Sequence, residues 1–383
     1  MSAPSIPNLL SLRGANGRGR SRGRTRGGPG RSGIPESGSG SSHDTTIQGT
    51  DTDAAISRLS AVELGYLNDP FARLFVQATP GPSTRRLPII NRGTYTRTTA
   101  IDTLVDRFLA STNPDEPRQI VSLGAGTDTR SFRLFTSPHN HRNIAYHEID
   151  FPAITERKQA LIQFPPLQSI LSPPTAITPT SWQTHSLRAA DNNTLTVHSL
   201  DLRTLTPSSP PLPSLLPTAP TLLLSECCLC YLQPPAARAV LAHFASRLPD
   251  LALVLYEPIL PHDAFGRTMT ANLAARGIAM PTVEAYPTAA DQERRLRDEG
   301  GFEAVRCETV DGIWERWVSE REKRRVDEVE GGLDEVEEWR LLAGHYVVAW
   351  GWKGRRMDLD VAGGVGGEGR GRDGVGEEEG GLS

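Results

Sequence analysis

At 383 residues the chain has room for one large or two small folded units, and 37% hydrophobic residues is low for a chain folded from end to end. Its 36 glycines and 30 prolines assign part of that length to segments that cannot build a core. A net charge of −4 excludes a general affinity for nucleic acid. No apolar run approaches the ~20 residues of a bilayer span, and the first residues hold no apolar signal-peptide core, so neither a membrane nor a secreted protein is expected.

In chain order, residues 1–50 are rich in Gly, Ser and Arg (Arg13, Arg18, Arg20, Arg22, Arg24, Arg26, Arg31) and are expected to be a disordered tail. Its Arg-Gly repeat, without interleaved aromatics, is a weak platform for RNA and reads first as a solvated arm. A single domain is expected over 51–355, followed by a disordered Gly/acidic tail over 356–383. Inside the domain, helical patterns at 99–110, 234–247 and 289–299 alternate with apolar runs. Those runs fall at 120–123, 145–149, 194–200, 221–225, 251–256, 304–310 and 345–350. The alternation predicts right-handed βαβ units and a doubly wound, mostly parallel seven-stranded sheet with helical insertions. Segments 164–193 and 206–220, rich in Ser, Thr and Pro, read as surface loops. The charged stretch 315–340 reads as a solvated helical face. Cys227, Cys228 and Cys230 read as reduced thiols of a cytoplasmic protein, since a disulfide between neighbours on a strand would be strained.

The strongest local signal is Val121-Ser-Leu-Gly-Ala-Gly-Thr-Asp-Thr-Arg130, a buried strand entering a Gly-x-Gly turn that lets a ligand approach bare backbone. A dinucleotide site wants a third Gly where Thr129 stands, and Asp128 would repel its pyrophosphate. S-adenosylmethionine, with an amino-acid end and a sulfonium, tolerates such acids. Asp150, at the next strand end and 26 residues after Gly124, suits both ribose hydroxyls; the lesser alternative is a helix N-cap before Pro152. Asp201 and Leu202 end the third strand, where a carboxylate and the following backbone N–H can serve adenine. Glu226 ends the fourth, facing the crevice where open α/β sheets bind ligands.

Several segments together resemble the leucine carboxyl methyltransferase family. They include Leu64-Gly-Tyr-Leu-Asn-Asp-Pro70, Ile90-Asn-Arg-Gly-Thr-Tyr-Thr-Arg97, the Leu-Gly-Ala-Gly turn, and His147-Glu-Ile-Asp150-Phe-Pro. Ser225-Glu226-Cys227 with Leu229 and Tyr231, Tyr256-Glu257-Pro258, Asp263-Ala-Phe-Gly266 and Leu333 through Tyr346 continue the match in order. The resemblance implies a class I, Rossmann-like methyltransferase using S-adenosylmethionine. Its substrate would be the C-terminal leucine α-carboxylate of the protein phosphatase 2A catalytic subunit, a methylation that regulates holoenzyme assembly. It also implies cofactor contacts at Arg58, Arg97, Gly124, Asp150, Asp201, Leu202 and Glu226, with Arg97 holding the cofactor's carboxylate. Arg58 stands where the family has a lysine, Thr94 and Thr96 replace an aromatic and a small residue, and Cys228 and Cys230 replace aliphatics. Arg92 and Tyr231 are the candidates to orient the substrate tail. No acid or base is assigned, because an α-carboxylate of pKa near 3.5 is already ionised at neutral pH; no metal is expected, because the cysteine cluster has no obvious second ligand cluster. A monomer in the cytoplasm is expected, with the nucleus as a second compartment. Two alternatives stand beside this reading: a relative that methylates a tRNA wybutosine-type base and carries a β-propeller, and a non-catalytic phosphatase-binding module.

Overall fold

A computed structural model describes residues 39–76, 85–139, 141–188, 190–354 and 357–361. The Arg-Gly segment before residue 39 and the acidic segment after 361 lie outside the described residues.

The chain opens with α1 (Ser39–Glu63), which ends at Gly65, a left-handed residue (φ 88°) that closes the last turn. Next comes α2 (Pro88–Ser111), with proline in its first turn. Then follow β1 (Arg118–Leu123), α3 (Arg130–Thr136), β2 (Ile144–Asp150) and α4 (Pro152–Ile162). A hairpin, β3 (Thr175–Thr178) and β4 (Ser181–His185), precedes β5 (Thr194–Ser199), β6 (Thr221–Glu226), α5 (Pro234–Ala245) and β7 (Leu251–Pro258). The last third comprises α6 (Ala264–Ala274), α7 (Pro281–Ala285), α8 (Ala289–Asp298), β8 (Ala304–Thr309), α9 (Val310–Arg316), α10 (Glu320–Val329), α11 (Val336–Gly344) and β9 (Tyr346–Lys353).

All strands join one sheet in the order β3-β4-β5-β2-β1-β6-β7-β9-β8. From β5 to β7 neighbours run parallel; β9 inserts antiparallel to both β7 and β8. The β strands alternate their side chains between two cores, as the pleat requires. Ile120, Leu222 and Val254 face the core that includes Leu104 and Phe108 of α2. Val121, Leu223 and Leu253 face the core that includes Val240 and Phe244 of α5. Chain order reverses at β1, whose neighbours are β2 and β6, so a crevice opens at the carboxyl ends of these strands.

Four expectations need correction. The hairpin β3–β4 falls inside 164–193 and adds two strands at the edge of the expected seven; Thr-rich β3 is mostly exposed, so it lacks the apolar alternation that announces a strand. Helix α2 begins at Pro88, well before residue 99, because its first half buries Asn91, Arg92, Thr94 and Thr96 and so shows no amphipathic stripe. Residues 39–50 are helical, and at the other end Met357 and Leu359 are buried with Leu359 O accepting from Trp350 Nε1 at 3.0 Å, so the folded unit exceeds 51–355 at both ends. The stretch 315–340 is not simply a solvated face. Its Val326 and Trp339 are buried, and Asp327 and Glu330 reach back to α2.

Candidate active site

The carboxyl ends of β1, β2, β5 and β6 surround a cavity of about 350 Å³, within the range of small-molecule sites. Arg58, Arg97, Gly124, Asp150, Asp201, Leu202, Glu226 and Tyr231 all line it. Arg92 does not. Its guanidinium lies 4.6 Å from the Trp314 ring centroid and 5.6 Å from that of Trp339, and it pairs with Asp327. It clamps α2 to the helices after β8, so the substrate-orienting role expected of it has no support in its placement.

The glycine turn is built for close approach. Gly124 (φ 59°) and Gly126 (φ 50°) both sit in the left-handed region. A Cβ on Gly124 would meet Cys228 Sγ at 2.6 Å, and one on Gly126 would meet the carboxylate of Asp51. Gly126 N–H donates to Asp150 Oδ2 at 2.7 Å, and Phe151 N–H donates to Asp150 Oδ1 at 2.7 Å. Burial outweighs these hydrogen bonds and pushes the Asp150 carboxyl up to about 6. Asp51, accepting from Thr127 N–H at 2.7 Å, is likewise raised by burial.

Asp201 accepts from Arg203 N–H at 2.9 Å and from the Arg203 guanidinium, which also holds Asp44 of α1 at 2.8 Å. The first half of α1 therefore covers the cavity, contributing Ile47, Gln48 and Thr50 to its wall. These residues fall in the segment expected to be a tail. Its Gly, Ser and Thr content hid a helix stabilised by tertiary contact alone.

At the opposite end, Arg97 Nε stands 2.8 Å from Glu226 Oε1, and its guanidinium lies 5.4 Å from the centroid of Tyr256, itself stacked on Tyr346. Burial opposes the charge of Arg97, but Glu226, Tyr256 and Cys227 together outweigh it and hold the guanidinium above its usual range. Arg58 reaches Asp69 at 3.2 Å and Asp128 at 3.8 Å. Asp128 is also bound by Arg130 at 2.6 Å, so the negative charge expected to repel a pyrophosphate is already compensated. Arg130 was part of the sequence motif without a role, since nothing local shows which carboxylates it would meet.

The cysteines are free, and they do not share a strand: Cys227 takes φ 49° and Cys228 precedes a single 3-10 turn at Leu229–Tyr231. No group of three or more His, Cys, Asp or Glu that could hold a metal occurs among the described residues. Among the described residues, the cavity wall carries no histidine and no lysine. His147 turns away from it, its Nδ1 lying 3.1 Å from His198 Nε2 in a stacked buried pair. Burial lowers the two imidazoles to about 3 and about 4, so both are neutral at pH 7. No helix among the described residues is long and apolar enough to cross a membrane.

An open, mostly parallel sheet with a glycine turn after β1 and acids closing β2 and β6 defines a Rossmann-like methyltransferase. The sequence pattern of the leucine carboxyl methyltransferase family matches residues 46–245. The chain is 50% identical to leucine carboxyl methyltransferase 1 of Aspergillus fumigatus, over 92% of this chain and 94% of the relative. It is 49% identical to the protein of that name from Emericella nidulans, over 92% and 95% of the two chains. With the Yarrowia lipolytica protein of that name it shares 40% identity over 80% and 97%. The protein belongs to the leucine carboxyl methyltransferase family.

Proposed function

We propose that this protein transfers the methyl group of S-adenosylmethionine to the C-terminal leucine α-carboxylate of the protein phosphatase 2A catalytic subunit. The observation that carries this reading is the cavity's polarity: an arginine–glutamate pair at one end, a desolvated aspartate at the other, and no histidine or lysine among the described residues of the wall between. The residues fit the donor. Arg97 and Glu226 suit its carboxylate and ammonium, Gly124 and Gly126 leave room where a Cβ would intrude, and Asp150 offers acceptor capacity to ribose hydroxyls. Leu202, Phe151 and Ile154 supply apolar wall for a purine, with Asp201 at its edge.

When bound, S-adenosylmethionine supplies a methyl group already activated by its sulfonium. The chain's own residues then have no proton to remove, because an α-carboxylate with pKa of about 3.5 is ionised at pH 7. Their task is to orient the acceptor and exclude water, and proximity of this kind can contribute ~7–11 kcal/mol. Tyr231 lines the cavity with its phenol held well above its ordinary pKa by burial, so it remains a hydrogen-bond donor toward a carboxylate at any physiological pH. Helix α1 lies over the site and shields it from solvent.

The test is incubation with methyl-labelled donor and phosphatase catalytic subunit carrying either a free or an amidated C-terminus. Label should enter only the free form. Equal labelling of both, or labelling of tRNA in place of protein, would overturn the substrate assignment.

A further inference from the structure

Glu226 is gripped from two sides. Arg97 Nε approaches Oε1 at 2.8 Å, while Arg130 approaches Oε2 with its two terminal nitrogens at 3.4 and 3.5 Å. Each oxygen thus has its own guanidinium. Arg97 lines the cavity; Arg130 does not, and only 2% of its side chain is exposed. Behind Glu226, Arg130 Nε donates to Asp102 Oδ1 at 2.6 Å and Nη1 donates to Asp128 Oδ2 at 2.6 Å. One guanidinium therefore joins α2, the glycine turn and the tip of β6.

We infer that Arg130 is a positioning residue which, through Glu226, sets the affinity of the site for the amino-acid end of the methyl donor. The inference rests on the donor reading proposed above. Ionic contacts of Arg58, Arg97, Arg130 and Arg133 with Asp69, Asp102, Asp128 and Glu226 form one connected network. Four cations meet four anions, so the network is neutral before any ligand binds. Removal of Arg130 leaves an excess negative charge in a buried setting, where an uncompensated carboxylate recruits a proton or swings toward another partner. Without the Arg130 guanidinium, Asp102 keeps both terminal nitrogens of Arg133 at 2.6 and 3.2 Å, and Asp128 keeps Arg58 at 3.8 Å and the backbone N–H of residue 130 at 3.0 Å, whereas Glu226 keeps Arg97 alone at 2.8 Å. Among the described residues, the acceptors proposed for ribose and adenine, Asp150 at the end of β2 and Asp201 just after β5, share no partner with Arg130.

That separation provides the test. Full-length protein is titrated calorimetrically with adenosylhomocysteine and with methylthioadenosine, which keeps the nucleoside but lacks the amino-acid end. Arg130→Met should weaken adenosylhomocysteine roughly tenfold or more, the scale of a hydrogen bond to a charged group. Methylthioadenosine should stay within about twofold, as expected for sites that share no partner. Arg130→Lys should recover part of the loss, and in a Glu226→Gln background Arg130→Met should add less than about threefold. Should Arg130→Met fail to fold, Asp102→Asn, which loosens the anchor behind Arg130, should show the same selectivity at smaller size. Equal weakening of both ligands, or full additivity with Glu226→Gln, would overturn the inference while leaving the donor reading standing. If the unaltered protein bound neither ligand, the donor reading would fall and the inference with it.

Discussion

The two ends of the cavity solve the same problem in opposite ways. Around Glu226, charges of both signs are interleaved and mutually compensated, so the carboxylates of Asp102 and Asp128 are held below their usual range although burial alone would raise them. Around Asp150 two carboxylates, Asp51 and Asp150, accept backbone N–H groups, from Thr127 and from Gly126 and Phe151, with no ion pair to either among the described residues, and burial raises both. The first end presents fixed charge to a charged part of a ligand; the second holds acceptors that gain most from neutral hydroxyl donors. Preorganisation at one end and unmet acceptor capacity at the other predict different responses to substitution and to pH.

Breaking the charged end should have the largest effect. Arg97→Met leaves Glu226 with only the longer Arg130 contacts, and loss of one partner of a buried pair costs about 3–5 kcal/mol. Adenosylhomocysteine affinity should fall at least about a hundredfold by calorimetry; a change below about fivefold would place the ligand's carboxylate elsewhere.

At the opposite end the effect should be smaller and pH-dependent. Asp150→Ala should cost about 1.5–3 kcal/mol of binding. Because hydroxyl donors favour the ionised carboxylate and its pKa stands at about 6, affinity for adenosylhomocysteine should decline as pH falls below 6. The slope should approach tenfold per unit and should vanish in Asp150→Ala. The free protein responds with the opposite sign: folded Asp150 binds its proton more tightly than the unfolded chain, so this group's contribution to stability decreases as pH rises from about 4 to about 6. A pH-independent affinity from 5 to 7 would contradict the role given to Asp150.

Removing the cover should matter less again. A chain starting at residue 51 loses the Asp44–Arg203 pair and the wall formed by Ile47, Gln48 and Thr50. Compared with a chain starting at residue 39, it should bind adenosylhomocysteine about five- to tenfold more weakly, the scale of one net hydrogen bond with some apolar burial. Arg92→Met should have the smallest effect on binding. It removes a guanidinium held between two tryptophans, worth about 2 kcal/mol when desolvated, so melting temperature should drop while affinity stays within about twofold. A binding defect without a melting defect would contradict a purely structural role for Arg92.

What was legible in the chain follows the same division. Strand ends carry their own signature, and Gly124, Asp150, Asp201 and Glu226 could be placed because order along a doubly wound sheet dictates where each tip lies. Arg130 and Asp102 sit on separate helices and meet only through the fold, and the partner of Arg92, Asp327, lies far along the chain in a stretch whose charges suggested solvent. Helix α1 escaped because its polar composition shows almost no apolar periodicity. The hairpin at the sheet edge escaped because Ser, Thr and Pro advertise loops before strands.

Under the proposed function, this cavity aligns an already ionised acceptor and removes no proton. Single-turnover methylation of the phosphatase C-terminus, with donor saturating, should have a rate that is nearly flat from pH 6.5 to 9, because neither the acceptor nor any group on the cavity wall is called upon to lose a proton there. A rate rising tenfold per pH unit across that range would show a general base or a titrating acceptor, and would contradict the carboxylate chemistry at its root.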